Sequence, residues 1–389
     1  MFTDFPIILN AGILFLLLFI AGFIGVKVKI PNVIIYILLG IVVSGFFVDL
    51  KLLHVTGEIG IILLFFLLGL EFPIKRLAQI AKKIAPAGIL DVVLNLGVVM
   101  AICLLFGLDF LTAFIIGGIT YATSSSITAK MLESNKRMAN TESEFMLGIL
   151  IFEDIVAPIV VAVLVALTAG AALGAFELSM VFTKIIVMTI VAILLGVFVF
   201  SKLADFFDAY INSDVMILLL VGLALSYGGL ALHLGLSEVL GAFLIGITLA
   251  EVKRPEPIEH LLLPMKDLLL PLFFLYFGTT IEFGEIPMLG LLITLVLYTI
   301  VAKVIVGIVG GKWYGLSKKL AFKAGLSLVA RGEFSVIIAS LAVGSLALFG
   351  GIYILIVATI GIILFQLAPK LADKIYGKKK PKQKIAIPS

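Results

Sequence analysis

The chain has 389 residues, of which 62% are hydrophobic and 13% charged, with a formal net charge of +4 and a mean hydropathy of +1.28. A soluble protein of this size has too little interior for so many apolar side chains, so the composition excludes that class and predicts an all-α polytopic membrane protein. The single cysteine, Cys103, excludes an intramolecular disulfide and a thiolate metal cluster.

Apolar stretches long enough to cross a bilayer follow one another along the chain and predict about thirteen transmembrane helices. Their predicted ranges are residues 5–26, 31–48, 55–73, 84–106, 109–133, 143–168, 177–200, 212–232, 234–251, 263–283, 287–310, 318–346 and 350–370. Residues 1–4 contain no basic side chain, so we expect a retained first span rather than a cleaved signal peptide. Lysine and arginine concentrate after the odd-numbered spans, which predicts an extracellular N-terminus and a short basic cytoplasmic tail over residues 371–389.

Two pairs of similar segments recur about 207 residues apart. Tyr36–Ile41 resembles Ala242–Ile247, and Phe65–Phe72 resembles Phe273–Gly278. The offset corresponds to seven spans, and an odd number of spans inverts the second copy. The pattern therefore predicts two inverted six-helix repeats, spans 1–6 and spans 8–13, with span 7 as a linker, an arrangement typical of secondary transporters.

Span 5 carries a run of hydroxyl side chains at mid-membrane depth, formed by Thr123, Ser124, Ser125 and Ser126. The repeat offset maps this run onto Gly332 in span 12. Serine and threonine compete for backbone hydrogen bonds and glycine loosens a helix, so we predict two discontinuous helices that cross near the midplane. The alternative is that the hydroxyls bond back to their own helix.

Span 6 contains two adjacent acids, Glu153 and Asp154, in an otherwise apolar stretch. Asp154 lies about eleven residues from the start of the stretch, or about 16 Å deep at ~1.5 Å per residue. A charge at the bilayer centre costs ~2.5–3.5 kcal/mol on insertion scales. We therefore predict a site for protons or cations, with a purely structural pair of acids as the alternative.

Other charged residues lie within predicted spans. Lys303 in span 11 is predicted to pair with Glu153, and the alternative is that it reaches to the cytoplasmic interface. Arg331 and Glu333 at the span 12 break are predicted to be supporting residues that cap helix ends or pair with each other. Asp91 and Asn95 share one face of span 4 and are placed to contact the same core.

Several motifs in this sequence together resemble one family. They are Pro31–Ile34, Gly69–Glu71, Ser124–Ser125, Phe152–Asp154, Gly235–Leu244 and Ala330–Phe334. In this order, over about residues 5–370, they resemble the monovalent cation–proton antiporters, in the branch of bacterial Na⁺/H⁺ antiporters and Kef-type potassium-efflux antiporters. The chain departs from the family at Glu153, where relatives carry Asp, Asn or Gln, so the resemblance does not fix the coupling or the ion.

The resemblance implies the Na⁺/H⁺ antiporter fold in a single transmembrane unit over residues 1–370. The implied parts are a dimer domain (about 5–54 and 212–251), a linker helix (about 177–200) and a core (about 55–168 and 263–370). It also implies a homodimer in the cell membrane, with no cofactor and no nucleic-acid partner. Many potassium-efflux relatives carry a nucleotide-binding domain, and we do not expect one in this short tail.

The expected function is exchange of Na⁺ for protons by alternating access, serving pH and Na⁺ homeostasis, with no reaction catalysed. Asp154 would bind cation and proton alternately, and oxygens from Thr123 to Ser126 would complete the cation's shell. Exchange of K⁺ or Li⁺ is the alternative, and a cation channel or an organic-solute symporter is less expected. Glu153 and Lys303 are predicted to switch and add a second proton per cation, against the alternative of a permanent bridge.

Overall fold

The computed structural model describes residues 6–28, 30–44, 50–70, 74–168, 175–196, 198, 213–250, 255–281 and 287–377. Within these ranges the chain is helical and has no strand, which confirms the predicted all-α class. Its helices, numbered in chain order, are α1 (Ile7–Val28), α2 (Asn32–Val43), α3 (Leu50–Leu70), α4 (Ile74–Val92), α5 (Val99–Leu105), α6 (Phe110–Tyr121), α7 (Ser125–Ser134), α8 (Thr141–Thr168), α9 (Ala175–Leu195), α10 (Ser213–His233), α11 (Glu238–Ala250), α12 (Pro255–Thr279), α13 (Leu289–Ile305), α14 (Gly311–Tyr314), α15 (Lys318–Ser327), α16 (Glu333–Ser340) and α17 (Ser345–Tyr376).

Eight helical stretches among the described residues are long and apolar enough to cross a membrane. Helices are the natural outcome for such apolar sequence, because in lipid each backbone polar group must find its partner within the protein. The number of thirteen crossings stays a prediction.

Two helices are interrupted in the middle, as predicted. The first half-helix, α6, begins after Asp109, whose carboxylate accepts a hydrogen bond from the Thr112 amide at 3.1 Å and caps the helix. It ends at Tyr121, the backbone is extended at Ala122, and α7 begins at Ser125. The second interruption lies over residues 328–332, between α15 and α16.

The inverted repeat is visible where helices cross at paired glycines. Gly40 of α2 meets Gly278 of α12, and Gly69 of α3 meets Gly246 of α11. At each of the four positions an added Cβ would overlap the backbone of the facing helix, so only glycine allows this approach. The repeat offset maps Gly40 near Gly246 and Gly69 near Gly278. The two glycine crossings are therefore equivalent positions of the two repeats.

Spans 4 and 11, which correspond in the two repeats, each contain a π-helical segment that was not predicted from the sequence. The first covers Val93–Val98, between α4 and α5, and the second covers Val306–Gly310, between α13 and α14. Each begins two or three residues after a buried charged residue, Asp91 or Lys303. Such segments often occur at functional sites.

Helix packing groups α3 and α12 with α2 and α11. The helices α3 and α12 lie along each other, α12 also packs on α2, and α11 packs on α3. The other helices of spans 4–6 and 11–13 mainly contact one another, for example α4 with α8, α6 with α16, and α15 with α17. The division predicted from the sequence instead assigns spans 3 and 10 to the core.

Candidate functional site

The two interruptions cross each other and bring the polar residues of both half-helix pairs together. The Ser124 amide donates to the Ala330 carbonyl at 2.9 Å, and the Thr123 hydroxyl oxygen lies 3.1 Å from the Leu328 carbonyl oxygen. An added Cβ at Gly332 would overlap the Ser124 side chain, so the glycine permits this close crossing. The crossing lies against the middle of α8, where Glu153 and Asp154 are buried.

Glu153 is held on several sides. Its Oε1 lies 2.7 Å from Lys303 Nζ and accepts the Thr123 hydroxyl at 3.0 Å, while its Oε2 accepts the Thr123 amide. The structure thus brings together Lys303 and Glu153, with Lys303 fully buried rather than extended to an interface. Charge-assisted hydrogen bonds of this kind orient the carboxylate strongly.

Asp154 faces a different partner. The Ser125 hydroxyl lies 2.9 Å from Oδ1 and 3.0 Å from Oδ2 of Asp154, and the residue is 4% exposed. Ser125 is the first residue of α7, so Asp154 lies beside the start of this half-helix. The carboxylate is therefore positioned at the helix break.

The hydroxyl run that was predicted to form one cation shell is divided among three acids. The Thr123 hydroxyl contacts Glu153, the Ser124 hydroxyl donates to Glu333 at 2.8 Å, and the Ser125 hydroxyl contacts Asp154. The side chain of Ser126 lies outside the described part of the structure. Helical spacing alone does not reveal this division, because the backbone leaves the helix at Ala122.

Arg331 caps helix ends, which is one of the two roles expected from the sequence. Its Nε donates to the Thr120 carbonyl at 2.8 Å, and its Nη1 donates to the carbonyls of Val329 at 3.0 Å and Leu328 at 3.4 Å. Its Nη2 donates to Asn95 Oδ1 at 3.2 Å, so its described hydrogen bonds do not involve Glu333. The guanidinium thus neutralises the negative C-terminal ends of α6 and α15 where they meet.

Asp91 and Asn95 both contact the core, as predicted, but the ion pair of Asp91 with Lys303 was not predicted. Its Oδ1 lies 2.7 Å from Lys303 Nζ and accepts from Asn95 Nδ2 at 2.9 Å. Lys303 is therefore shared by two carboxylates, Asp91 and Glu153, and we call these three residues the lysine triad. The sequence feature that could have indicated this role is an acid within a predicted span, on the same helical face as Asn95.

Acids outnumber bases in this buried cluster. Four acids (Asp91, Glu153, Asp154 and Glu333) and two bases (Lys303 and Arg331) are buried around the crossing, which gives a net charge of −2 when all six groups are ionised. A buried excess of negative charge must be balanced by protons or bound cations. Oxygen ligands of this kind suit hard monovalent cations.

Two cavities lie at opposite ends of α16. One, of about 390 Å³, is lined by Glu333 at the start of α16 together with Asn32, Tyr36, Lys266 and Asp267. The other, of about 450 Å³, is lined by Ser340 at the end of α16 together with His54, Glu58 and Glu238. One cavity therefore borders the crossing at Glu333, and the other lies at the far end of the same half-helix.

Comparisons with known proteins place this arrangement among transporters. The profile of the family described as "Sodium/hydrogen exchanger, transmembrane" matches residues 13–370. The "Ammonium/H(+) antiporter subunit AmhT" of Alkalihalophilus pseudofirmus is 62% identical over 375 residues, which cover 96% of each chain. The "K(+)/H(+) antiporter subunit KhtU" of Bacillus subtilis is 31% identical over 394 residues, covering 95% of this chain and 94% of that protein.

The fold is also that of a solved antiporter structure. The sodium proton antiporter MjNhaP1 from Methanocaldococcus jannaschii at pH 8 matches with a TM-score of 0.71 and 17% identity. The match covers 95% of this chain and 99% of that structure. It confirms the predicted antiporter fold with its crossed discontinuous helices.

Proposed function

Because the chain belongs to the sodium/hydrogen exchanger family, we propose that this multi-pass membrane protein exchanges a monovalent cation for protons across the cell membrane, with Asp154 as the exchanging group. The observation that carries the proposal is the difference between two adjacent acids. Lys303 holds Glu153 at 2.7 Å, whereas Asp154 faces the Ser125 hydroxyl at the helix break. Ser125 and backbone carbonyls of the break would complete the shell of a cation at Asp154.

Exchange follows from the burial of Asp154. A carboxylate at mid-membrane has to be neutralised before the site can move between the two sides, either by a proton or by a cation. A single site that accepts one or the other, but not both, couples the two fluxes. The cavities at the two ends of α16 support access from each side in turn, as in other transporters built from inverted repeats.

For the transported ion we propose ammonium and potassium rather than sodium. The support is that the relative with 62% identity is named an ammonium/H⁺ antiporter and the relative with 31% identity a K⁺/H⁺ antiporter. A third relative, from Synechocystis sp., is named a high-affinity Na⁺/H⁺ antiporter, but its identity is 28%. The physiological role would then be control of pH and of the monovalent cation content of the cell.

Ion selectivity is tested in proteoliposomes by comparing ammonium, K⁺, Rb⁺, Na⁺ and Li⁺ as drivers of proton movement. We expect lower KM values for ammonium and K⁺ than for Na⁺ and Li⁺. Because ammonia crosses lipid by itself, lipid-only vesicles supply the baseline for the ammonium series. Lower KM values for Na⁺ or Li⁺ would restore the sodium function expected from the sequence.

Ser125→Ala should raise the apparent KM for the cation about fivefold, since one hydrogen bond to a charged group is worth ~1 kcal/mol or more. The maximal rate should change less, because Asp154 still carries the exchange. The matched control is Ser44→Ala, whose hydroxyl bonds back to the Ile41 carbonyl at 3.0 Å in its own helix. Unchanged KM in Ser125→Ala would remove Ser125 from the cation shell.

We also propose a homodimer with the N-terminus outside and the C-terminus in the cytoplasm. The packing of α3 and α12 supports placing them with α1, α2, α10 and α11 in the dimer domain, which leaves spans 4–6 and 11–13 as the moving core. Light scattering of the detergent-solubilised protein tests the dimer, because a particle of one 41.7 kDa chain would exclude it.

A further inference from the structure

The lysine triad holds one more carboxylate than its single ammonium group can balance. Lys303 Nζ lies 2.7 Å from Asp91 Oδ1 and 2.7 Å from Glu153 Oε1, and all three residues are fully buried. The second oxygen of Asp91, Oδ2, has no hydrogen-bond partner among the described residues. Asp91 therefore has a second oxygen with which it can bind the Lys303 ammonium group more fully than it does in this structure.

A lysine with one acid only would resist any movement of that acid. If Glu153 turned toward a cation at the neighbouring Asp154, Lys303 would be left as an unpaired buried charge, which is strongly unfavourable. Asp91 removes this obstacle, because the ammonium keeps a carboxylate at hydrogen-bond distance throughout. The arrangement makes Glu153 the mobile partner and Asp91 the fixed one.

Local contacts also favour Asp91 as the fixed partner. Asn95 donates to Asp91 Oδ1 at 2.9 Å and accepts from Arg331 at 3.2 Å, so Asp91 is tied to the capped helix ends. Asp91 and Lys303 are each followed by a π-helical segment, a feature that is frequent at functional sites.

We propose that Asp91 is a positioning residue that retains Lys303 while Glu153 turns to the transported cation, and so sets the affinity of the site. The inference rests on the proposed exchange at Asp154. It assigns to Asp91 no contact with the cation and no proton of its own. Its effect on transport passes through Lys303 and Glu153.

The test is Asp91→Asn, which keeps the shape of the side chain and removes its charge. Lys303 then depends on Glu153 alone, Glu153 becomes less available, and the apparent KM for K⁺ in proteoliposomes should rise about tenfold. The maximal rate should fall less than the affinity. Asp91→Glu restores the carboxylate and should keep KM within about threefold of the wild-type value.

A buried polar pair outside the triad provides the matched control. The Thr299 hydroxyl and the Tyr353 hydroxyl lie 2.6 Å apart on α13 and α17, and both residues are fully buried. Thr299→Val removes that hydrogen bond from the same buried core and should leave KM within about twofold of the wild-type value.

Two results would overturn the inference. One is a wild-type KM in Asp91→Asn, and the other is an equal rise of KM in Asp91→Glu, which would show that shape rather than charge matters. If Asp91→Asn does not fold, Asp91→Glu alone decides between a role of the charge and a role in packing. A role in packing predicts that the added methylene group raises KM, whereas a role of the charge predicts a KM near the wild-type value. Absence of exchange in the wild-type protein would instead refute the proposed function.

Discussion

Asp154→Asn is expected to abolish cation-driven proton movement while the protein remains folded. An amide binds no proton in the physiological range and cannot neutralise a cation, so the rate should fall below about 1% of the wild-type rate. The fold should survive, because the amide oxygen still accepts the Ser125 hydroxyl that now contacts Asp154 at 2.9 Å. The measurement is proton movement in proteoliposomes after a K⁺ or ammonium pulse.

Folding of this variant can be followed through the single cysteine. Cys103 is buried, so a fluorogenic thiol reagent reports the temperature at which the chain opens. The matched control is Asp373→Asn, which removes a half-exposed ion pair with Lys319 at the end of α17 and should leave transport unchanged. Near wild-type exchange in Asp154→Asn would show that another group carries the proton.

Lys303→Met should cause the largest loss of stability of any single substitution at the site. The change leaves Asp91 and Glu153 buried without their shared cation, and breaking a buried ion pair from one side typically costs ~3–5 kcal/mol. Both acids are fully buried, so water cannot hydrate the two carboxylates left without a cation. The Cys103 reactivity assay should show a clearly lower unfolding temperature.

An exposed lysine just beyond the same span serves as the comparison. Lys312 lies in α14, two residues after the predicted end of span 11, and Lys312→Met should leave the unfolding temperature almost unchanged. Equal unfolding temperatures for Lys303→Met and wild type would show that the lysine triad does not hold the core together. That result would also remove the basis for the role of Asp91.

The two helix breaks could be predicted because the local residue types and the internal repeat both indicate them. A run from Thr123 to Ser126 in a membrane-spanning stretch marks a weakened helix, and the offset of 207 residues points to Gly332 in the other half. The structure interrupts both helices at these places. The pairing of Gly40 with Gly278 shows the same symmetry in the packing.

Which acid each hydroxyl contacts could not be predicted, because side-chain directions outside a regular helix depend on the three-dimensional path of the backbone. Consecutive hydroxyls contact three different acids, since the extended backbone at Ala122 changes the direction of each side chain. The pairing of Lys303 with two acids could not be predicted either. Asp91 and Glu153 are 62 residues apart in the sequence and meet only where three helices pack together. Ion choice depends on distances of a few tenths of an ångström, which neither motif nor spacing encodes.

The central claim, coupled exchange at one site, is tested most directly by recording cation flux and internal pH together in the same proteoliposomes. A K⁺ gradient without a pH gradient should drive protons in the opposite direction, and an opposing pH gradient should bring both fluxes to a stop. Asp154→Asn should show neither flux. Cation flux that continues without proton movement, and grows linearly with the cation gradient, would identify a channel and contradict the account.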